Sequence, residues 1–223
     1  MTQWNAWSTS EIEERPGQRP LGATLRAGLL ILLATLAACR TPAGIVPPVN
    51  PQWEQRRQVL EALDTWSFTA SIRVRDEEES HSSRIRWQQR EARYQINLWG
   101  AFNAGATEIT GEPGRVVISQ RGEDPIITET PEELVYQELG YELPVSWLDN
   151  WLKGIPAPDS PAQTRFGENG QLVDLVQSGW HIQYLGYVEQ NPETLPARIR
   201  IEKPPLRVDL VRMTWTTGPD GEK

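Results

Sequence analysis

Cysteine and histidine are nearly missing from this chain: Cys39 is its one thiol, and His81 and His181 are its two imidazoles. A lone cysteine has no disulfide partner and no companion ligands for a zinc site, and neither histidine stands at metal-ligand or triad spacing to a partner. A glycine-rich phosphate loop and a Gly-x-Ser-x-Gly elbow are lacking too. Carboxylates do cluster, from Glu77 to Glu79 and at Glu132-Glu133. The first group falls in a turn and the second at a helix start, where solvated structural roles account for them. No enzyme and no metal site are expected. Lys and Arg number 22 against 30 Asp and Glu, a formal charge of −8, and no basic stripe argues for nucleic acid.

Long apolar runs are scarce as well. The longest is Ala27-Gly28-Leu29-Leu30-Ile31-Leu32-Leu33-Ala34-Thr35-Leu36, roughly half of the ~20 residues that a bilayer-spanning helix needs. It follows Arg15, Arg19 and Arg26 and ends at Leu36-Ala37-Ala38-Cys39. That order is a cleavable export signal with a lipobox, because small residues before the cysteine let the site enter a signal peptidase. The expected organisation is therefore a signal over 1–38, then a lipidated Cys39 carrying a covalent N-acyl diglyceride and no other cofactor. Several acyl chains give durable attachment where one anchors only marginally. Residue 40 is Arg; in bacterial lipoproteins generally an aspartate there retains the protein in the inner membrane, so the outer membrane is expected, with the chain facing the periplasm. Pro42, Pro47 and Pro48 make 39–50 a tether. The remainder suits one domain over 51–217 with a short tail at 218–223.

Apolar and polar residues alternate from Trp66: Trp66, Phe68, Ala70, Ile72 and Val74 share one face, and Ser67, Thr69, Ser71, Arg73 and Arg75 the other. This is an antiparallel strand with one wet face. After Asp76-Glu77-Glu78-Glu79 the pattern recurs around Ile85 and Trp87, then around Tyr94, Ile96 and Leu98. Further strands are expected at 105–111, 114–119 and 125–129, with three late ones at 172–186, 196–202 and 205–215. Helices are predicted over 51–63, from Pro131 with Thr130 as N-cap, and from Pro144 to Gly154. The fold class is mostly β: a curved antiparallel sheet forming an incomplete barrel, with helices to cover its open side. Curling leaves an interior lined by Trp66, Phe68, Trp87, Tyr94, Ile96, Trp180, Ile182 and Tyr184, and the helix from Pro144 adds Trp147 and Trp151. Such an interior is either a packed core or a ligand cavity.

The order of short motifs resembles the outer-membrane lipoprotein receptor LolB family. The pattern runs through Pro51-Gln52-Trp53, Arg84-Ile85-Arg86-Trp87-Gln88-Gln89, Arg93-Tyr94, Gly105-Ala106-Thr107-Glu108 and Glu112-Pro113-Gly114. It continues through Leu143-Pro144-Val145, Leu148, Trp151-Leu152-Lys153-Gly154-Ile155-Pro156, Gly186-Tyr187 and Leu195-Pro196. The resemblance covers most of the chain after Cys39. It implies a half-barrel under a helical lid, whose apolar cavity takes the acyl chains of lipoproteins from the periplasmic carrier LolA and releases them into the inner leaflet of the outer membrane. The ten residues above then become candidate walls of an acyl-chain cavity. The family's membrane-touching loop corresponds to Trp99-Gly100-Ala101-Phe102-Asn103-Ala104-Gly105, with Phe102 matching the exposed apolar residue and Trp99 assisting. This loop is longer than the family's usual one and holds aromatics where an aliphatic residue is usual. The expected partners are LolA, lipoprotein cargo and outer-membrane lipid, and the expected state is a monomer. Two rival readings keep the fold: a structural lipoprotein of outer-membrane assembly, which requires a filled core, and a carrier of other lipids or glycolipids.

Overall fold

A computed structural model describes residues 51–100, 106–189 and 194–218. The signal, Cys39, the whole tether to residue 50, Phe102 and residues 219–223 lie outside the described residues. Helix α1 (Pro51–Glu61) leads into strands β1 (Thr65–Arg75), β2 (Ser80–Arg90), β3 (Arg93–Trp99), β4 (Thr107–Glu112), β5 (Arg115–Gln120) and β6 (Ile126–Thr128). Helices α2 (Pro131–Leu139) and α3 (Val145–Lys153) follow, then β7 (Ala162–Phe166), β8 (Leu172–Gln177), β9 (Trp180–Val188), β10 (Leu195–Lys203) and β11 (Leu206–Thr217).

All eleven strands belong to one antiparallel sheet in the order β6-β5-β4-β3-β2-β1-β11-β10-β9-β8-β7. Each half is a meander, and the halves meet where β1 pairs with β11 from Trp66↔Thr217 to Arg75↔Arg207. The outermost strands, β6 and β7, do not pair with each other, so the barrel stays open. The chain passes from one edge to the other through α2 and α3, which puts both helices on the apolar face.

Two expectations are corrected. The stretch 172–186 is two strands, not one, because Ser178 and Gly179 adopt φ of 49° and 81° and pair Gln177 with Trp180. Positive φ at both central residues makes the tight hairpin turn that matches strand twist. Strand β7 was not anticipated: its residues are exposed except for the half-buried Phe166, so no apolar alternation announces it.

Both covering helices carry their punctuation in the sequence. Thr130 Oγ1 accepts the Glu133 N–H at 3.2 Å, and Gly140 ends α2 at φ 72°. Helix α3 begins after Pro144 without a side-chain cap of its own. Glu132 of α2 supplies one, accepting the Ser146 N–H at 2.7 Å.

A cavity under the helical cover

The sheet's apolar face is packed solid on one side and open on the other. On the β8–β10 side, Trp151 enters from α3 against Trp180, with ring centroids 6.2 Å apart, and Trp53 of α1 meets Phe166 at 4.8 Å. Leu172, Leu175, Ile182, Leu195 and Ile199 are buried there. Gln177 ties this half together, with its amide buried: Oε1 accepts Trp151 Nε1–H at 2.9 Å and the Ala157 N–H at 3.0 Å, while Nε2 donates to the carbonyls of Ala157 and Ser160, both at 2.9 Å. Every hydrogen-bonding capacity of that amide is used, which is what lets a polar group sit in a core.

On the β1–β5 side the helices stand off the sheet and leave a partly enclosed cavity of about 320 Å³. Its sheet wall comprises Phe68, Ile72 and Val74 of β1, Ile85 and Trp87 of β2, Ile96 and Leu98 of β3, Ile109 of β4 and Ile118 of β5, with Ile201, Leu206, Val208 and Leu210 from β10 and β11. The opposite wall is Leu134 and Val135 of α2, Leu143, and Val145, Leu148 and Leu152 of α3. Thr107 and Gln120 are the two polar residues among the 21 that line it. A space with so few hydrogen-bonding groups offers water too few partners and suits apolar ligands; its volume lies in the range of about 300–1,000 Å³ usual for small-molecule sites.

An aromatic wall separates the two halves. Phe68 stacks on Trp66 at 5.9 Å and tilts against Trp215 at 5.0 Å, and Trp87 stands 6.4 Å from Phe68. Behind this wall polar contacts hold α3 in place: Asp149 accepts Trp66 Nε1–H at 3.2 Å and the Lys153 ammonium at 3.3 Å, and Lys153 also donates to the Leu63 carbonyl at 3.1 Å. Tyr184 donates its hydroxyl to the Trp151 carbonyl at 2.9 Å.

Of the ten candidate wall residues, Phe68, Trp87 and Ile96 line the cavity. Trp66, Trp151, Trp180, Ile182 and Tyr184 are buried in or beside the filled half, and Trp147 is half-buried, edge-on to Trp151 at 5.6 Å. Tyr94 lies near Trp87, at 5.8 Å, and its ring covers Gly111 so closely that a Cβ there would have no room. The physical reason is the polar handle on these rings. Trp66, Trp151 and Tyr184 each place N–H or O–H on an acceptor away from the cavity, Asp149, Gln177 and the Trp151 carbonyl, whereas Trp87 finds its acceptor on its own strand, Gln89 at 3.0 Å, and keeps its ring on the wall. The aliphatic lining that sequence reasoning missed was marked by the alternation in 196–202 and 205–215 and by the helical spacing of Val145, Leu148 and Leu152.

Trp99 ends β3 and is 42 % exposed, so its ring does not fold fully onto the sheet. The histidines hold acidic neighbours, His181 with Asp174 at 2.8 Å and His81 with Glu79 at 2.7 Å. No cluster of His, Cys, Asp or Glu able to hold a metal occurs among the described residues. None of the described helices is long and apolar enough to cross a membrane.

The family profile described as outer membrane lipoprotein LolB matches residues 64–215, from the first strand almost to the end of the last. This chain belongs to the LolB family. Among its relatives, the outer-membrane lipoprotein LolB of Pseudomonas fluorescens is 38% identical over 187 residues, covering 83% of this chain and 91% of that protein. The LolB of Chromohalobacter salexigens is 37% identical over 188 residues, covering 83% and 87%. A solved structure of a putative outer membrane lipoprotein-sorting protein domain from Vibrio parahaemolyticus shares the fold, with a TM-score of 0.51 at 8% identity, covering 77% of this chain and 93% of that one. The LolB family is a family of outer-membrane lipoproteins of Gram-negative bacteria that serve lipoprotein localisation, and the open eleven-stranded sheet with its helices is the architecture expected of it.

Proposed function

We propose that this LolB protein is held in the outer membrane by lipid on Cys39, accepts the acyl chains of lipoproteins from the carrier LolA in the cavity between sheet and helices, and passes them into the inner leaflet. The supporting observation is the cavity itself: about 320 Å³ of space whose lining is apolar at all but Thr107 and Gln120. A structural assembly lipoprotein would have no need of such a space.

The mechanism involves no bond-making. Each methylene exposed to water would cost about 0.8 kcal/mol, so acyl chains must move from one oily container to the next without crossing solvent. Direction then follows from the better destination: carrier to receptor, receptor to bilayer. Because α2 and α3 build the outer wall while the sheet builds the inner one, displacement of the helical wall is the way in. In this reading the exposed Trp99 and Phe102 are the bilayer-touching residues of the β3–β4 connection, since apolar residues in a connection that should be solvated mark a membrane or partner contact.

Reconstitution tests it: LolA loaded with a labelled lipoprotein is mixed with this protein in vesicles, and the label is followed. The expected result is passage of label from LolA through this protein into the bilayer. Label that stays on LolA overturns the reading; transfer of glycolipid but not lipoprotein replaces it with a carrier of other lipids.

A further inference from the structure

The sheet's other face carries a feature unlike the rest of this acidic chain. Cross-strand register aligns Trp99 with Arg84, Arg84 with Ser71, Ser71 with Val211 and Val211 with Arg198, a single row over five adjacent strands. At about 4.8 Å per strand the row spans roughly 19 Å. One step along the strands a second row runs Ser82, Arg73, Asp209, Arg200. With Arg207 and Arg212 these residues line an open groove of about 790 Å³, edged by the exposed Trp99 and Leu185.

Six arginines meet one carboxylate in this groove. Asp209 is already engaged, accepting from Arg200 at 2.9 Å and from Arg207 at 2.9 Å and 3.1 Å. Arg73 and Arg212 reach only hydroxyls, Ser82 at 3.2 Å and Ser71 at 2.7 Å, and the exposed Arg84 and Arg198 have no partner among the described residues. Arg212 is also held at φ 56°, in a bulge of β11 opposite Ala70. An L side chain adopts that conformation only against a cost that glycine avoids, so the chain maintains a strained backbone at a residue whose guanidinium points to the groove.

We propose that this arginine groove is a docking surface for the anionic phospholipid headgroups of a bilayer. Guanidinium forks fit phosphate oxygens, and the serine hydroxyls on the floor add donors. The rim selects the source: Trp99 and Leu185 place an indole and an alkyl chain beside the cations, the combination that suits the boundary between headgroups and acyl chains. The groove is too open to hold one small anion from all sides. Its position beside the β3–β4 connection turns the same edge of the sheet to the membrane. This inference goes beyond cargo transfer and does not require it.

The test is a footprint on the full chain in vesicles, using an arginine-selective dicarbonyl read out by mass spectrometry. Arg73, Arg84, Arg198 and Arg212 should be protected in phosphatidylcholine vesicles containing phosphatidylglycerol, and not in phosphatidylcholine alone; exposed Arg115 serves as a reference that stays reactive in both. Protection should fade at high salt, and each arginine removed should weaken the contact about fivefold. The double variant Arg84→Gln/Arg198→Gln should leave Arg73 reactive in phosphatidylglycerol vesicles while its thermal unfolding matches the parent. Equal protection in both vesicles would show proximity without charge recognition and overturn the proposal. Protection by soluble glycerol phosphate or by an acidic polypeptide, with none from vesicles, would overturn it in favour of a small-anion or protein site. The footprint reads arginine contact irrespective of cargo, so failure here leaves the transfer reading standing, and the reverse holds.

Discussion

Tyr141, in the link between α2 and α3, donates its hydroxyl to Asp76 Oδ2 at 2.6 Å, across 65 residues of chain. Asp76 sits in the β1–β2 turn, where its other oxygen accepts the Glu78 and Glu79 N–H groups, both at 2.8 Å. The bond latches the linker of the helical cover to the tip of a hairpin whose strands form the cavity's floor. These contacts, the Tyr141 bond foremost, hold the Asp76 carboxyl below its ordinary 3.8. The same bond raises Tyr141 to about 12.

Loosening this latch should open the cover without unfolding the sheet. Tyr141→Phe is expected to speed uptake of a fluorescent fatty acid and raise amide exchange over 140–145, with little change in unfolding midpoint because neither partner is fully buried. The sign of the pH dependence follows. A depressed carboxyl supports the latch above its ordinary pKa and fails as pH falls through the lower one, whereas a raised phenol supports it below pH 10 and fails as pH rises toward about 12. Uptake by the parent should therefore be flat through the neutral range and accelerate only at the acid and alkaline ends. Equal uptake rates for parent and variant would remove the latch role.

Filling the cavity should block binding where damage to the solid half should not. Leu98→Trp places a large ring in open space, so its overpacking penalty should lie at or below the usual ~1–3 kcal/mol, while fatty-acid affinity drops at least about tenfold. Ile182→Ala empties a packed site and should cost roughly 2–5 kcal/mol with affinity kept near the parent value. Titration with a fluorescent fatty acid beside chemical denaturation separates the two.

Gln177 carries four hydrogen bonds in a nearly water-free site. Gln177→Leu keeps much of the volume but strands the Trp151 N–H and the Ala157 backbone groups. At about 1–3 kcal/mol for each buried group left unpaired, a total loss of roughly 3 kcal/mol or more is expected in urea denaturation. A loss under 1 kcal/mol would mean that water replaces the amide.

The Tyr94 hydroxyl is buried with no hydrogen-bond partner among the described residues, and burial pushes its pKa up to about 12. Tyr94→Phe removes an unsatisfied group and keeps the ring over Gly111, so stability should stay level or rise by up to about 1 kcal/mol. Burial also raises Tyr184 and Tyr187. Groups raised in this way favour the folded state below pH 10 and lose that contribution above it. Stability of the parent should decline as pH climbs from 10, and less steeply in Tyr94→Phe.

Phe102→Glu should leave acceptance of lipoprotein intact and stall its delivery, because a carboxylate is costly in lipid. Vesicle reconstitution with labelled cargo reads the two steps separately. Unimpaired delivery would take the membrane role away from this residue.

Much of the fold was legible because one face of the sheet is buried. That forces period-two alternation in β1, β2 and β3, and the N-cap Thr130 marks the start of α2. Strand β7 was hidden for the converse reason: an edge strand with exposed side chains has no apolar period to show. The hairpin at Ser178-Gly179 was marked by a turn dipeptide that the run of apolar residues on either side obscured. Of the cavity, Phe68, Trp87 and Ile96 could be anticipated from the inward face. Which inward residues meet empty space depends on where α3 settles, and that is set by Asp149 with Trp66 and by Gln177 with Trp151, pairs separated by 83 and 26 residues.

By itself, then, the sequence determined which side of each alternating strand faces oil and where the helices start, since those follow from periodicity and capping within a few residues. Tertiary structure alone decided that one half of that face is filled by indoles seeking acceptors while the other stays hollow. It also gathered arginines from four strands, spread over 140 positions of an acidic chain, into one groove. Both outcomes depend on register and on contacts between residues far apart in the chain, and no local pattern encodes a distance in space.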